Sequence, residues 1–133
     1  MKVLCRRIIN ENTGEDEGME NAWIKVGNEY TVLLMSYVQD DGINIALETD
    51  EDEGTMFHLK GFEFLSDYIP SSWITDVEEF KGEKYISMLP DAWNYQTFFD
   101  DLDDGEAHAM KLFREEADKI YREEAEHQAA QKK

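Results

Sequence analysis

Three acidic stretches hold most of the residues that could do chemistry. Glu11 to Glu20 contains five carboxylates, Asp40 to Glu53 seven and Asp91 to Glu106 six, and none of the three contains a Lys or Arg. Asp-rich loops that carry Gly suggest calcium. A helix–loop–helix calcium site needs oxygen ligands at positions 1, 3 and 5, Gly at 6 and a bidentate Glu at 12. Anchored on Gly105, position 3 is Leu102 and position 12 is Lys111; anchored on Gly54, position 12 is Lys60; anchored on Gly18, it is Ile24. Each frame fails at the residue that closes the shell. The three histidines, His58, His108 and His127, are far apart in sequence, and the chain has a single cysteine, so no zinc-ligand spacing exists. Ser71 and Ser72 lie in a Pro-Ser-Ser-Trp turn rather than a nucleophile elbow. The eight glycines are dispersed and build no phosphate-binding loop. With 31 acids, chance supplies any carboxylate pair, so pairs carry no signal for glycosidase chemistry. No catalytic residue, no metal and no cofactor is expected, and the chain reads as a non-enzyme.

The charge speaks to partners. Lys and Arg total 13 against 31 Asp and Glu, a net charge of −18 at pH 7. A sequence-independent nucleic-acid binder needs cations to displace phosphate counterions, and a polybasic membrane module needs them for anionic lipid. This chain would repel both, so neither nucleic acid nor a membrane is an expected partner. Unneutralised like charge also repels itself and costs stability. Any one acidic cluster is explained by solvation of a loop. Three clusters without a cation point either to life in high salt or to docking on a basic partner, where opposite charge speeds encounter and helps fix register.

The elements that would position these clusters follow from periodicity. At 133 residues, with 12% aromatics, the chain is the size of one folded domain. Residues 1–66 hold 5 cations against 14 acids and residues 67–133 hold 8 against 17, an even spread with no linker between. Residues 1–89 read mainly as strands: Lys2 to Ile9, Tyr30 to Val38, Ile43 to Leu47, Met56 to Leu65 with a bend at Gly61, Trp73 to Val77 and Tyr85 to Leu89, with Trp23 to Val26 a short strand or a turn. Asn10 to Asn21 and Asp50 to Gly54 read as loops, and Asp41-Gly42 and Lys81-Gly82 as hairpin turns. Cys5, inside the first strand, reads as a small buried hydrophobe. Residues 90–126 read mainly as helix. Ala109, Met110, Phe113, Ala117, Ile120 and Tyr121 recur at helical spacing, predicting a helix from about Asp104 to Glu126. Asp103 and Glu106 stand in capping-box relation before it. Pro90 opens a short helix through Trp93, and His127 to Lys133 is expected to fray. The predicted fold is α+β: an antiparallel meander of about five or six strands packed against a long C-terminal helix. No apolar run approaches a membrane span and no leader is visible, so a cytoplasmic protein is expected.

The segment Leu89-Pro90-Asp91-Ala92-Trp93, then Phe98-Phe99-Asp100-Asp101-Leu102-Asp103-Asp104-Gly105-Glu106-Ala107, then Phe113-Arg114-Glu115-Glu116 carries a likeness over about 30 of the 133 residues. It resembles the C-terminal half of small bacterial immunity proteins of polymorphic toxin and contact-dependent growth inhibition systems. The resemblance implies a protein that binds the C-terminal domain of a cognate toxin, often a basic nuclease, and blocks it without catalysis. On that expectation the first candidate contacts are Asp40, Asp41, Asp50, Glu51, Asp52 and Glu53. Asp100, Asp101 and Asp103 come second, because helix capping competes for them. Tyr37, Phe57 and Tyr95 are candidate aromatic anchors where exposed. An acidic nucleic-acid mimic or adaptor, also directed at a basic protein, is the alternative.

Overall fold

Two long apolar runs are broken in the middle, and the breaks decide the architecture. A computed structural model describes residues 1–10, 12–21, 23–49 and 55–131. The run expected as a single strand from Tyr30 to Val38 is two strands, β2 (Glu29–Thr31) and β3 (Leu34–Val38). Between them Val32 donates its N–H to Met1 O at 2.9 Å and Leu33 donates to Ala46 O at 2.9 Å. Adjacent residues therefore bond to different sheets, with both side chains fully buried. The run from Met56 to Leu65 is likewise two strands, β5 (Thr55–His58) and β6 (Phe62–Ser66). Gly61, at the corner between them, has φ +89°, and its carbonyl accepts both Arg6 N–H (2.7 Å) and Arg7 N–H (3.1 Å).

The crossings divide eight strands between two antiparallel sheets. One has the order β2-β1-β6, with β1 (Lys2–Cys5) in the centre. β1 stops at Cys5, short of the expected Ile9, because the next two backbone amides turn to Gly61. The other sheet has the order β5-β4-β3-β8-β7, with β4 spanning Gly42–Leu47, β7 Trp73–Phe80 and β8 Glu83–Pro90. The meander holds for β3 to β5, and the β7–β8 hairpin adds on the far side of β3. That hairpin is longer than its apolar residues suggested. Its strands pair from Trp73↔Pro90 to Phe80↔Glu83 around a two-residue turn in which Lys81 (φ 52°) and Gly82 (φ 80°) are both left-handed, as a twist-matched tight hairpin requires.

The fold is α+β with a long C-terminal helix. After β8 comes one 3₁₀ turn (Asp91–Trp93), a short helix α1 (Phe98–Asp103), then α2 (Ala107–Gln131). Gly105, at φ 73°, separates the two helices, so α2 starts later than expected. The capping box does not form. Glu106 alone caps α2, accepting His108 N–H and Ala109 N–H at 3.0 Å each. At the other end the helix runs on to Gln131 in place of the expected frayed tail, with His127 stacked on Tyr68 at 4.7 Å. Ala109, Phe113, Ala117 and Ile120 form its buried stripe, Tyr121 is half-buried, and Met110 faces solvent. One apolar core joins this stripe to both sheets through Val3, Ile24, Leu33, Ile45 and Leu47. Cys5 is buried in it, and burial pushes its thiol pKa up, which leaves it protonated and inert.

Candidate protein-binding surface

The β3–β4 turn carries Asp40 and Asp41. Asp40 takes a left-handed φ of 71°, which Asp tolerates better than most side chains, and the turn closes through Asp41 N–H to Val38 O at 3.0 Å. The Asp41 carboxylate accepts Asn44 Nδ2–H at 3.2 Å, and His58 Nε2 lies 2.9 Å from the Asp41 carbonyl oxygen. Both acids remain exposed. Asp50, Glu51, Asp52 and Glu53, the densest part of the expected contact rim, lie outside the described residues. Asp100, Asp101 and Asp103 sit on α1. Asp100 and Asp103 are exposed, whereas Asp101 is half-buried and accepts Thr97 Oγ1–H at 3.1 Å. The two placed clusters are not brought together. The β3–β4 turn abuts the start of β8, where Gln39 N–H donates to Lys84 O, and the segment leading to α1 leaves from the end of β8 at Pro90.

Other acids, which no motif singled out, are spent on holding α2 in place. Arg114 grips Glu48 through two guanidinium nitrogens at 2.6 and 3.2 Å, Tyr121 Oη donates to the same carboxylate at 2.6 Å, and Arg114 Nε reaches Asp118 at 3.0 Å. Glu123 accepts Tyr68 Oη–H, Ser71 N–H and Ser71 Oγ–H. Glu124, buried, pairs with the Met1 amine and accepts Ser66 Oγ–H. In all three carboxyls burial pushes the pKa up. The bonds to Arg114 and Tyr121, to Ser71 and Tyr68, and to the Met1 amine and Ser66 outweigh it, and each group ends below its ordinary value. Glu48 therefore leaves the pool of docking acids, although it falls inside an acidic stretch.

These depressed values set an acid limb. A carboxyl whose folded pKa is lowered contributes stability above its unfolded value, here 4.5, and loses it as pH falls through the folded one. Thermal melts at pH 7, 5 and 3 are expected to show the midpoint falling below about pH 4.5. Glu48→Gln is expected to lower the midpoint at pH 7, with the deficit against wild type shrinking between pH 7 and pH 3 as Glu48 itself takes up a proton. An equal deficit at both pH values would mean that the Arg114 latch does not titrate.

Of the expected anchors, Tyr37 and Tyr95 are exposed, Tyr95 resting edge-on against Phe98 at 5.4 Å. Phe57 is half-buried, edge-to-face with Phe62 at 6.3 Å. Cross-strand register reveals what sequence reasoning missed: Tyr37 on β3 lies opposite Ile86 on β8, which lies opposite Val77 on β7. Residues directly opposite share a sheet face, so these three exposed side chains form one apolar band across three strands. Alternation on β7 alone did not show it. A shallow cleft of about 190 Å³ opens beside the β3–β4 turn, with Arg7, Lys60, Asp41 and Phe57 among its walls. Its mixed charge selects no ligand class. Among the described residues no group of three His, Cys, Asp or Glu side chains is placed to hold a metal, and no helix is long and apolar enough to cross a membrane. No family model, curated protein or solved structure matches the chain.

Proposed function

We propose that this chain is a cytoplasmic immunity protein, which binds the basic C-terminal domain of a cognate toxin, such as a nuclease, and neutralises it by non-catalytic occlusion. One observation carries the reading. Glu48, Glu123 and Glu124, which hold α2, are paired or hydrogen-bonded, while Asp40, Asp100 and Asp103 stand exposed with no side-chain partner among the described residues, in a chain of net charge −18. Carboxylates left unneutralised at the surface steer a cationic partner and set its approach. The likeness of the 89–116 segment to immunity proteins supports the same reading.

The test is co-expression with the toxin domain encoded beside this gene. Rescue of growth and a complex that survives gel filtration at micromolar concentration are expected. No rescue and no complex would reject the reading. Reversing Asp40 and Asp41 to Lys, or Asp50 to Glu53 to Lys, is expected to lower the association rate by about 10-fold or more at low salt and to flatten its salt dependence. Stopped-flow mixing at two ionic strengths measures both.

A further inference from the structure

We propose that the free edge of β7 takes up an extended, basic strand of the partner as an added strand of the sheet. The inference rests on the reading of the partner as a cationic protein, and deepens it by naming where and how main chain meets main chain.

β7 is the last strand of its sheet and, at eight residues, pairs along its whole length with β8 without a bulge. Natural sheets protect such an edge with Pro, charged side chains (Lys above all), a bulge or a covering element, and of these β7 has only acids. Trp73 to Phe80 contains no Pro, Gly or Lys, and no described element pairs with its outer side. In an antiparallel ladder the bonded pairs alternate, and the pair that closes a two-residue hairpin is a bonded one. Counting back from Phe80↔Glu83, the backbone N–H and C=O of Thr75, Val77 and Glu79 point away from β8, and none of them bonds to a turn or loop among the described residues. Beside them Val77, 66% exposed, stands at the open end of the Tyr37–Ile86–Val77 band, and Phe80, 63% exposed, lies on the opposite face.

Charge selects the occupant. The strand carries Asp76, Glu78 and Glu79, and no cation. A second copy pairing antiparallel on this edge would set those acids against one another, and like charges placed opposite across strands are destabilising. The same acids attract a strand that carries Lys or Arg. Glu79 shares the face of Val77, while Asp76 and Glu78 lie on the other, so cations on both faces of an incoming strand would find a partner. The edge is thus guarded against self-association and open to a basic strand.

The probe is a blocked octapeptide alternating Lys and Val, added at millimolar concentration to the full chain, with a Glu–Val octapeptide as control and amide exchange followed by NMR. The Lys–Val peptide is expected to slow exchange at Thr75, Val77 and Glu79 by about 10-fold, leaving Asp76 and Glu78, already bonded to β8, little changed. The Glu–Val peptide is expected to do nothing. Val77→Pro removes an outward N–H without touching the β8 ladder and is expected to abolish the protection. Glu78→Lys with Glu79→Lys, which leaves the backbone intact, is expected to weaken it about 10-fold. No protection, protection unaffected by Val77→Pro, or a wild-type dimer that already protects these amides would overturn the proposal. None of these arms needs the toxin. A toxin complex that leaves β7 amides exchanging freely would overturn the strand addition while sparing the immunity reading, and failure of rescue beside a positive peptide result would do the reverse.

Discussion

Phe113→Asp is expected to abolish the folded state. Phe113 is 2% exposed, and its ring stacks on Trp93 at 5.2 Å. Trp93 stacks in turn on Phe98 at 5.7 Å and donates its indole N–H to Leu112 O at 3.0 Å. The three rings are the joint between the end of β8, α1 and α2. Removing a buried Phe side chain alone costs about 3–5 kcal/mol. Asp adds an unpaired charge in the same apolar site, several kcal/mol more. Against a typical total of about 5–15 kcal/mol, little stability is left. Near-UV circular dichroism at 25 °C, a probe of packed aromatic rings, is expected to collapse. Phe113→Leu, which keeps an apolar body, is expected to retain a cooperative melt at a lower midpoint. A Phe113→Asp protein that melted like wild type would put α2 in a different register.

Gly61→Ala is the second large effect. At φ +89° an L side chain is strained, which costs about 1–2 kcal/mol. The added Cβ would also lie 2.3 Å from the Arg7 carbonyl oxygen, a backbone atom that cannot swing aside. Relieving the clash pulls the corner off β1 and disturbs the bonds from Arg6 N–H and Arg7 N–H, about 1 kcal/mol each. The sum is about 3 kcal/mol or more, read from urea denaturation midpoints. Gly82→Ala supplies the control. Its φ is +80°, but nothing lies within 4 Å of its added Cβ, so only the strain is incurred. Equal losses at the two positions would show that the Arg7 contact contributes nothing.

The helix, the turns and the antiparallel pairing were legible in the sequence because each has a local cause. The period of Ala109, Phe113, Ala117 and Ile120 marks a buried stripe, and Lys81-Gly82 marks a tight hairpin. The division into two sheets was not legible. Val32 and Leu33 are both fully buried, so the switch between sheets occurs inside an uninterrupted apolar run, where no change of pattern marks it. Gly61 was read as a bend, but only the approach of the Arg7 carbonyl shows that the bend is a corner. The candidate surface divides the same way. Acidic turns are visible as composition, whereas which acids are already partnered depends on contacts over long separations, such as Glu48 with Arg114 or Glu123 with Ser71. The apolar band needs the register of three strands before it exists at all.

The two crossings also govern how the polypeptide emerges and matures. The sheet built on β1 draws on Lys2–Cys5, Glu29–Thr31 and Phe62–Ser66, and the strands β3 to β5 of the other sheet lie between the last two of these. A nascent chain on the ribosome therefore cannot complete the first sheet until the middle of the second has been synthesised, and the second waits for β7 and β8. The buried stripe of α2 belongs to the same core as residues of both sheets, so a cut anywhere between them divides that core. The chain's pairings are dominated by partners distant along the sequence, and such non-local topologies fold slowly.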